Sequence, residues 1–286
     1  MKRPFEYIIE KLIFLSGIAS IVFVILIFVF LLKEGLSLFG SYNPFAFIFG
    51  KNWYPISDPP QFGILPLIVG SLWVTFGAIV IAVPLGIAAA IYVAEVAPHW
   101  LRDYLKSGIE LLAAIPSIVL GFIGIVTLAP WLKYLFHLPS GLTALAGSIM
   151  LAFMAMPTIV SIIEDAIVSV PKSYREGSLA LGATHWQTIY RVILPAASSG
   201  ILAAIMLGIG RVIGETMAVL MITGNAAVMA TSILQPVRTL TATVAAEMGE
   251  AVAGSGHYYA LFAIGIILFI ISFIINILAD MFMHKK

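Results

Sequence analysis

The chain has 286 residues, of which 61% are hydrophobic and only 10% are charged, and its formal net charge is +1. A soluble domain carries about 25% charged residues, so this composition cannot cover a water-facing surface. The apolar residues form blocks long enough to cross a bilayer, which takes about 20 residues per helix. No basic run indicates nucleic acid as a partner. The absence of cysteine excludes disulfides, thiolate nucleophiles and Cys-based metal sites.

The first apolar block covers residues 12–32, between a basic start and Lys33. A cleaved signal peptide has a shorter apolar region of roughly 7–15 residues, followed by a cleavage site of small residues. The block is therefore predicted to be a retained first membrane span.

Five further apolar blocks follow, so the chain is predicted to cross the membrane about six times. These blocks cover residues 64–94, 107–132, 141–163, 195–224 and 258–279. Pro84 lies inside the second span and is expected to kink it. Because backbone groups in lipid must bond internally, the sequence predicts an all-α, polytopic membrane helical bundle. In this interpretation residues 1–286 form a single transmembrane domain.

The basic residues are distributed unevenly between the two sides of the predicted bundle. Six spans place both termini on one side, which holds ten basic residues: Lys2, Arg3, Lys11, Arg102, Lys106, Lys172, Arg175, Arg191, Lys285 and Lys286. The other side holds four: Lys33, Lys51, Lys133 and Arg238. Cytoplasmic loops carry the excess of lysine and arginine, so both termini are predicted to be cytoplasmic.

Two predicted extracytoplasmic segments are long enough to carry structure of their own. Residues 33–63 contain Trp53 and several prolines, which suits either a simple connector or a docking surface at the water–lipid boundary. Residues 225–257 form either an amphipathic loop helix or a re-entrant, pore-lining segment. If this segment is helical, Glu247 and Glu250 share one face of the helix.

The cytoplasmic loop of residues 164–195 is the most informative polar stretch. Pro171 suits the start of a helix over residues 172–181, and Gly182 permits a sharp turn because glycine tolerates positive φ. A second helix is expected from Ala183 toward the fifth span. The residues after Pro171 would thus form a compact knob that can fit a cleft in a partner.

This loop resembles the coupling motif of ABC importer permeases: Glu-Ala-Ala, three residues, Gly, nine residues, Ile, one residue and Leu-Pro. The matching positions here are Glu176, Gly177, Ser178, Gly182, Val192, Leu194 and Pro195. Two small residues replace the alanines, which keeps close helix approach while lowering helix propensity. The resemblance implies that the loop docks on a cytoplasmic ATP-hydrolysing subunit. Gly182 would set the turn, and Arg175 and Glu176 would be solvated or contact that subunit.

Arg211 and Glu215 are two charges inside the predicted fifth span. On a continuous helix the i and i+4 positions face the same way. Partial neutralisation would then offset some of the roughly 2.5–3.5 kcal/mol that a charge costs at mid-bilayer. Gly208, Gly210 and Gly214 surround the pair and permit close helix approach. The pair is either a structural ion pair or a substrate site, in which the planar guanidinium donors match an anion in transit.

The segment Arg211-Val-Ile-Gly-Glu215-Thr-Met-Ala resembles the signature of the PstC-type permease subunits of phosphate ABC importers. Further agreement lies in Phe62-Gly-Ile-Leu-Pro66, Ile115-Pro-Ser117 and Glu164-Asp165. The resemblance implies a type I ABC importer permease fold in a prokaryotic inner membrane, with phosphate passage at Arg211 and Glu215.

The same resemblance implies four kinds of partner besides lipid: a second, homologous permease subunit, two cytoplasmic ATPase subunits, an extracytoplasmic phosphate-binding protein, and phosphate. ATP and Mg²⁺ would be bound by the ATPases, and no cofactor by this chain. The chain has no Gly-x-x-x-x-Gly-Lys-Ser/Thr loop, so it is not expected to hydrolyse ATP. Its histidines never pair at i and i+4, so no metal site is expected.

Two alternatives remain open at this point. The same machinery could carry another oxyanion, such as molybdate or sulfate. The chain could instead be an ion-coupled secondary transporter, with Glu215 as its protonatable group.

Overall fold

The computed structural model describes residues 4–284. Four basic residues behind the predicted orientation lie outside the described residues: Lys2, Arg3, Lys285 and Lys286. The chain opens with helix α1 (Pro4–Ser37), a 3₁₀ turn (Leu38–Gly40), helix α2 (Pro44–Phe49), strands β1 (Trp53–Tyr54) and β2 (Gln61–Phe62), and helix α3 (Leu65–Ile91). The two strands form an antiparallel hairpin in which Trp53 lies opposite Phe62.

The middle of the chain alternates short and long helices. Its elements are a π-helical turn (Tyr92–Val96), α4 (His99–Ala113), α5 (Ser117–Ile123), a second π-helical turn (Gly124–Leu128), α6 (Ala129–Leu135) and α7 (Ala144–Val168). Helix α7 starts at a capped end, because Thr143 Oγ1 accepts a hydrogen bond from the Ala146 backbone N–H.

The last part of the chain holds the knob and the end of the bundle. Its elements are α8 (Lys172–Ala180), α9 (His185–Thr188), a third π-helical turn (Ile189–Ile193), α10 (Leu194–Ala196), α11 (Ser198–Gly214), α12 (Met217–Ile222), α13 (Leu240–Glu247) and α14 (Gly256–His284).

Five stretches of the described residues are long and apolar enough to cross a membrane, and a bent pair brings the total to six. The five are Ile9–Gly40, Leu65–Val96, Ser117–Leu135, Ala144–Val168 and Gly256–Leu278. The bent pair joins His185–Ala196 to Ser198–Gly214 at an angle of 69°. The predicted number of about six spans and the helical fold class are confirmed, with one two-stranded hairpin added.

The third predicted span, residues 107–132, starts too early. The polar-to-apolar helix α4 ends at Ala113, and the membrane helix begins only at Ser117, directly after Pro116. Proline disfavours helical geometry in the residue before it, which separates the two helices. None of the side chains of α4 is buried, so α4 lies on the surface of the bundle, before the span.

Helices α3, α7 and α11 form the centre of the bundle, where alanine, glycine and serine let backbones approach. Ser148 Oγ on α7 donates to the Val74 carbonyl on α3 at 3.2 Å. A Cβ added at Gly208 would lie 2.7 Å from Ile159, so α11 packs directly on α7. Helix α1 packs on α14, with the rings of Phe28 and Phe269 4.5 Å apart, and most of the other apolar side chains of α1 are exposed.

Candidate functional site

The predicted continuous helix through Arg211 and Glu215 is wrong. Helix α11 ends at Gly214, and Glu215 has extended backbone angles, φ −69° and ψ 133°. Glycine weakens the end of the helix, and the Glu215 carboxylate accepts a hydrogen bond of 3.3 Å from the Ala218 backbone N–H at the start of α12. The carboxylate therefore satisfies a free N–H of the next helix, and the i, i+4 alignment with Arg211 is lost.

Arg211 has a hydroxyl partner, which the sequence did not reveal. Its Nη1 donates to Thr158 Oγ1 on α7 at 3.0 Å. Within residues 4–284 no carboxylate of Glu215 or of another residue forms an ion pair with Arg211. Arg211 lies in the last turn of α11, so its guanidinium interacts favourably with the negative end of the helix dipole. The sequence feature that could have indicated this contact is Thr158, a polar residue next to Pro157 within an apolar span.

One face of α11 is open in the part of the chain that the structure describes, apart from the contact between Arg211 and Thr158. Leu207, Gly210, Arg211 and Gly214 are all exposed and share this face by their i, i+3, i+4 and i+7 spacing. A Cβ at Gly210 or Gly214 would meet nothing within 4 Å, whereas one at Gly208 would collide with Ile159 on α7. The predicted close approach thus occurs at Gly208, and the arginine stands on the open side.

The segment after α12 returns into the outer part of the bundle and reaches the break at Glu215. Thr241 Oγ1 donates to the Glu215 carbonyl at 2.8 Å, and the Leu240 N–H donates to Ser71 Oγ at 3.0 Å. Trp73 Nε1 donates to the Ala230 carbonyl at 3.2 Å. Residues 225–257 thus combine a short helix, α13, with loop contacts to α3, and both interpretations of this segment stay predictions.

Glu247 joins the two segments that were predicted to be extracytoplasmic. Its carboxylate accepts hydrogen bonds from Trp53 Nε1 at 3.0 Å and from Arg238, and it contacts His257 Nε2 at 2.9 Å. Helix α13 ends at Glu247, so Glu250 does not share a helix face with it, contrary to the conditional prediction. The residues around Glu247 line an outer cavity of about 490 Å³.

The predicted two-helix knob is present. Helix α8 ends one residue earlier than expected, and Gly182 turns the chain with φ +83°. Thr184 and Gln187 then cap α9 reciprocally, each side chain bonding the other's backbone N–H. Ser178 Oγ lies 3.0 Å from Thr188 Oγ1, which ties the two helices together. The loop itself begins later than residue 164, because α7 continues to Val168.

The residues matched to the coupling motif differ in where they point. Glu176 and Gly177 are exposed, and neither a Cβ at Gly177 nor one at Gly182 would meet a neighbour within 4 Å. Leu194 and Pro195 lie in α10, directly before the 69° bend into α11. This arrangement gives the knob a free outer face and a fixed connection to the span that carries Arg211.

Arg175, predicted to be solvated or to contact the ATPase subunit, is instead bonded to the bundle, with 24% of its side chain exposed. Its Nη2 lies 2.6 Å from Glu95 Oε1 and also donates to the Ile167 carbonyl at 2.9 Å. Its Nη1 donates to the Val170 carbonyl at 2.8 Å. The side chain points into the bundle because buried acceptors there match its planar donors.

A second ion bridge lies at the same end of α7. Lys106 Nζ on α4 is 2.8 Å from Glu164 and 3.0 Å from Asp165. Hydrogen bonds to these two carboxylates raise the pKa of Lys106 above its ordinary value. Glu164 and Asp165, which the sequence pattern had singled out, therefore anchor α4 to the bundle.

Comparison with known proteins places this geometry in a family. The sequence profile of "Binding-protein-dependent transport system inner membrane component" matches residues 82–286. The chain is 43% identical to the "Probable ABC transporter permease protein YqgH" of Bacillus subtilis (strain 168), over 87% of this chain and 82% of that protein. It is 38% identical to the "Phosphate transport system permease protein PstC" of Mesorhizobium japonicum, over 86% of this chain and 79% of that protein.

Solved structures show the same fold at low sequence identity. A chain of a bacterial alginate ABC transporter superposes with a TM-score of 0.66 at 15% identity, covering 99% of this chain and 98% of its own. A chain of the MetNI methionine ABC transporter in an inward-facing conformation gives a TM-score of 0.61 at 19% identity, covering 77% and 95% respectively. The expected importer-permease fold is confirmed. This chain belongs to the inner-membrane components of binding-protein-dependent transport systems, and its relatives include PstC phosphate permeases.

Proposed function

We propose that this ABC importer permease subunit carries inorganic phosphate across the inner membrane and that Arg211 meets the anion on its way. The observation that carries the proposal is the position of Arg211 on an open face of α11, bonded to a neutral hydroxyl. An uncompensated guanidinium offers paired donors that match phosphate oxygens. Several relatives at 32–38% identity are named phosphate transport system permeases, which supports phosphate as the cargo.

The contact with Thr158 fixes the arginine without neutralising it. Glu215, with its carboxylate turned toward α12, leaves the positive charge intact. A single cation in a water-filled passage attracts an anion, and one charge alone binds it weakly enough for release. The Glu215 carboxylate, four residues on, would repel a second anion and limit residence at the site.

The open face of α11 requires a partner or a water-filled passage. A second, homologous permease subunit facing this side would complete the pathway. The exposed face of the knob, with Glu176, Gly177 and Gly182, would dock on one of two cytoplasmic ATPase subunits, which bind ATP and Mg²⁺. An extracytoplasmic phosphate-binding protein would deliver the cargo to the outer surface. Closure of the ATPases would draw the knobs together and open the passage outward.

The decisive experiment is phosphate uptake by the complete complex in proteoliposomes, with Arg211→Ala compared with wild type. We expect uptake to be lost while the complex assembles and hydrolyses ATP, because Arg211 lies in the last turn of α11, about 20 Å along the helix from its start next to the knob. Lys133→Ala is the matched control. It removes an exposed cation from α6, on the side of the membrane predicted to face away from the knob, and should leave uptake unchanged. Normal uptake by Arg211→Ala would disprove the assigned role.

Another oxyanion remains a second candidate, because guanidinium donors match molybdate or sulfate oxygens as well as phosphate. Uptake of labelled phosphate in competition with each oxyanion separates these cargoes. The ion-coupled alternative predicts uptake that survives ATP depletion and stops when the proton gradient is collapsed. Membership in a binding-protein-dependent family and the presence of the knob favour the ATP-driven mechanism.

A further inference from the structure

We propose that Arg175 and Glu95 form the joint through which the knob moves the transmembrane bundle, so that this pair sets how much transport each ATP yields. The inference rests on the proposed function, since it assumes that an ATPase pushes on the knob. Arg175 is a positioning residue here: it contacts neither cargo nor nucleotide. Its role is to make the knob and two membrane spans move as one body.

The joint is made by one guanidinium with acceptors on three sides. Arg175 reaches Glu95 Oε1 through Nη2 at 2.6 Å and through Nε at 3.3 Å. It also bonds the carbonyls of Ile167 and Val170, at 2.9 Å and 2.8 Å. Planar, multiply bonded guanidinium contacts have strict geometry as well as strength. The side chain therefore fixes the orientation of the knob relative to the bundle, and not only the distance between the two.

Two of the three acceptors belong to the ends of α3 and α7 nearest the knob, and the third, the Val170 carbonyl, follows the end of α7. Glu95 lies in the π-helical turn that continues α3, and Ile167 lies in the last turn of α7. Helices α3 and α7 share the largest buried core of the described residues. A displacement of α8 at Arg175 is thus delivered to both of these helices at once.

The pair is largely shielded from water. The Glu95 side chain is 7% exposed and that of Arg175 is 24% exposed. Removing one partner of a shielded pair leaves the other charge without compensation, which is costly in a poorly solvated site. The link therefore resists separation when the knob is pushed.

Arg175 supplies the only side-chain hydrogen bonds from α8 to the membrane helices within residues 4–284. The other polar link of α8, between Ser178 and Thr188, stays inside the knob. The exposed face with Glu176 and Gly177 points away from the bundle. Helix α8 thus has an outer face free for a partner and one inner anchor.

The anchor lies on the same helix as the partner of Arg211. Thr158 precedes Ile167 by nine residues on α7, which corresponds to about 13 Å along the helix axis. Because α7 is one continuous helix over this stretch, a push at Ile167 reaches the hydroxyl that holds Arg211. The joint connects the ATPase-facing knob to the proposed phosphate site through one rigid element.

The test uses the complete complex in proteoliposomes, with phosphate uptake and ATP hydrolysis measured on the same sample. We expect Glu95→Gln and Arg175→Gln to keep hydrolysis within about 2-fold of wild type. Uptake per ATP should fall by about 5-fold or more, the lower end of typical coupling factors between sites. The double variant should be no worse than either single one, because both remove the same contact.

Lys106→Gln is the matched control. It breaks the other ion bridge at this end of α7 but leaves the knob anchored, so a purely structural effect should appear in both Lys106→Gln and Glu95→Gln. We expect lower thermal stability in both variants and a lower transport-to-ATP ratio only in Glu95→Gln. An unchanged ratio in Glu95→Gln, or an equal loss in Lys106→Gln, would overturn the proposal.

A distance measurement gives a readout independent of the cargo. Because the chain contains no cysteine, spin labels can be placed at Val96→Cys and Lys172→Cys, both exposed positions. In wild type the distance between the labels should not change between nucleotide-free and vanadate-trapped complexes, and in Glu95→Gln it should change. A changing distance in wild type contradicts the joint.

If the wild-type complex shows no ATP-driven phosphate uptake, the proposed function fails, and the label distances still test the joint.

Discussion

Replacing Gly208 by alanine tests the packing that places Arg211. A Cβ at Gly208 lies 2.7 Å from Cγ1 and Cδ1 of Ile159, so the two side chains must shift apart. Overpacking costs about 1–3 kcal/mol, while a helical Gly→Ala change contributes about 1 kcal/mol of helix propensity. We expect Gly208→Ala to lower the free energy of unfolding by about 0–2 kcal/mol. Arg211 follows one turn later, so the shift should also weaken its contact with Thr158 and reduce phosphate uptake.

Gly210→Ala separates packing from helix propensity. A Cβ at Gly210 meets nothing within 4 Å, so this variant receives the propensity gain alone. The difference between the two variants, about 1–3 kcal/mol, isolates the contact between Gly208 and Ile159. Thermal unfolding of the purified subunit in detergent measures it, at roughly 2–4 °C per kcal/mol for chains of 150–250 residues. A Gly208→Ala protein as stable as Gly210→Ala would refute the close approach of α11 to α7.

Thr158→Val keeps the shape of the side chain but removes the hydroxyl that accepts the hydrogen bond from Arg211. Phosphate uptake should fall about 2–10-fold, which corresponds to a hydrogen bond of about 0.5–1.5 kcal/mol, and ATP hydrolysis should be unchanged. Gly182→Ala puts a Cβ at φ +83°, which costs about 1–2 kcal/mol, and cross-linking of the knob to the ATPase subunit should weaken. Glu247→Gln removes the charge that joins the extracytoplasmic segments and should destabilise the chain by about 1–3 kcal/mol in thermal unfolding. The raised pKa of Lys106 means that its stabilising contribution is complete below the ordinary lysine value near 10.4 and is lost only as the pH rises above it. The protection factors of the amides at the end of α7, which compare hydrogen exchange with the intrinsic exchange rate at each pH, should therefore not fall between pH 7 and pH 9.

Local signals predicted the knob and most spans correctly. Pro171 and Gly182 act through backbone angles that depend on one residue, so their effects can be read from the sequence. The length of the first apolar block was likewise sufficient to identify a membrane helix, and the structure extends it to Ser37. Such features need no knowledge of which segments meet in space.

The features that the sequence missed depend on distant contacts or on helix breaks inside apolar runs. Arg175 and Glu95 are 80 residues apart, and no local pattern joins them. The run from Pro195 to Gly224 has the composition of one span, yet Glu215 ends α11 by capping α12. Hydropathy averages over a window, so it did not register this change of direction.

A comparison of the partners of the charged side chains gives the strongest reason to assign Arg211 a role beyond packing. The shielded carboxylates of Glu95, Glu164 and Glu247 each have a cation within ion-pair distance. A charge within the membrane costs about 2.5–3.5 kcal/mol on insertion scales, and the helix dipole offsets about 0.3–1 kcal/mol of it. Arg211 has only a hydroxyl as its side-chain partner among the described residues. Arg211 is also exposed on α11, so water and a passing anion supply the compensation that ion pairs give to these three carboxylates.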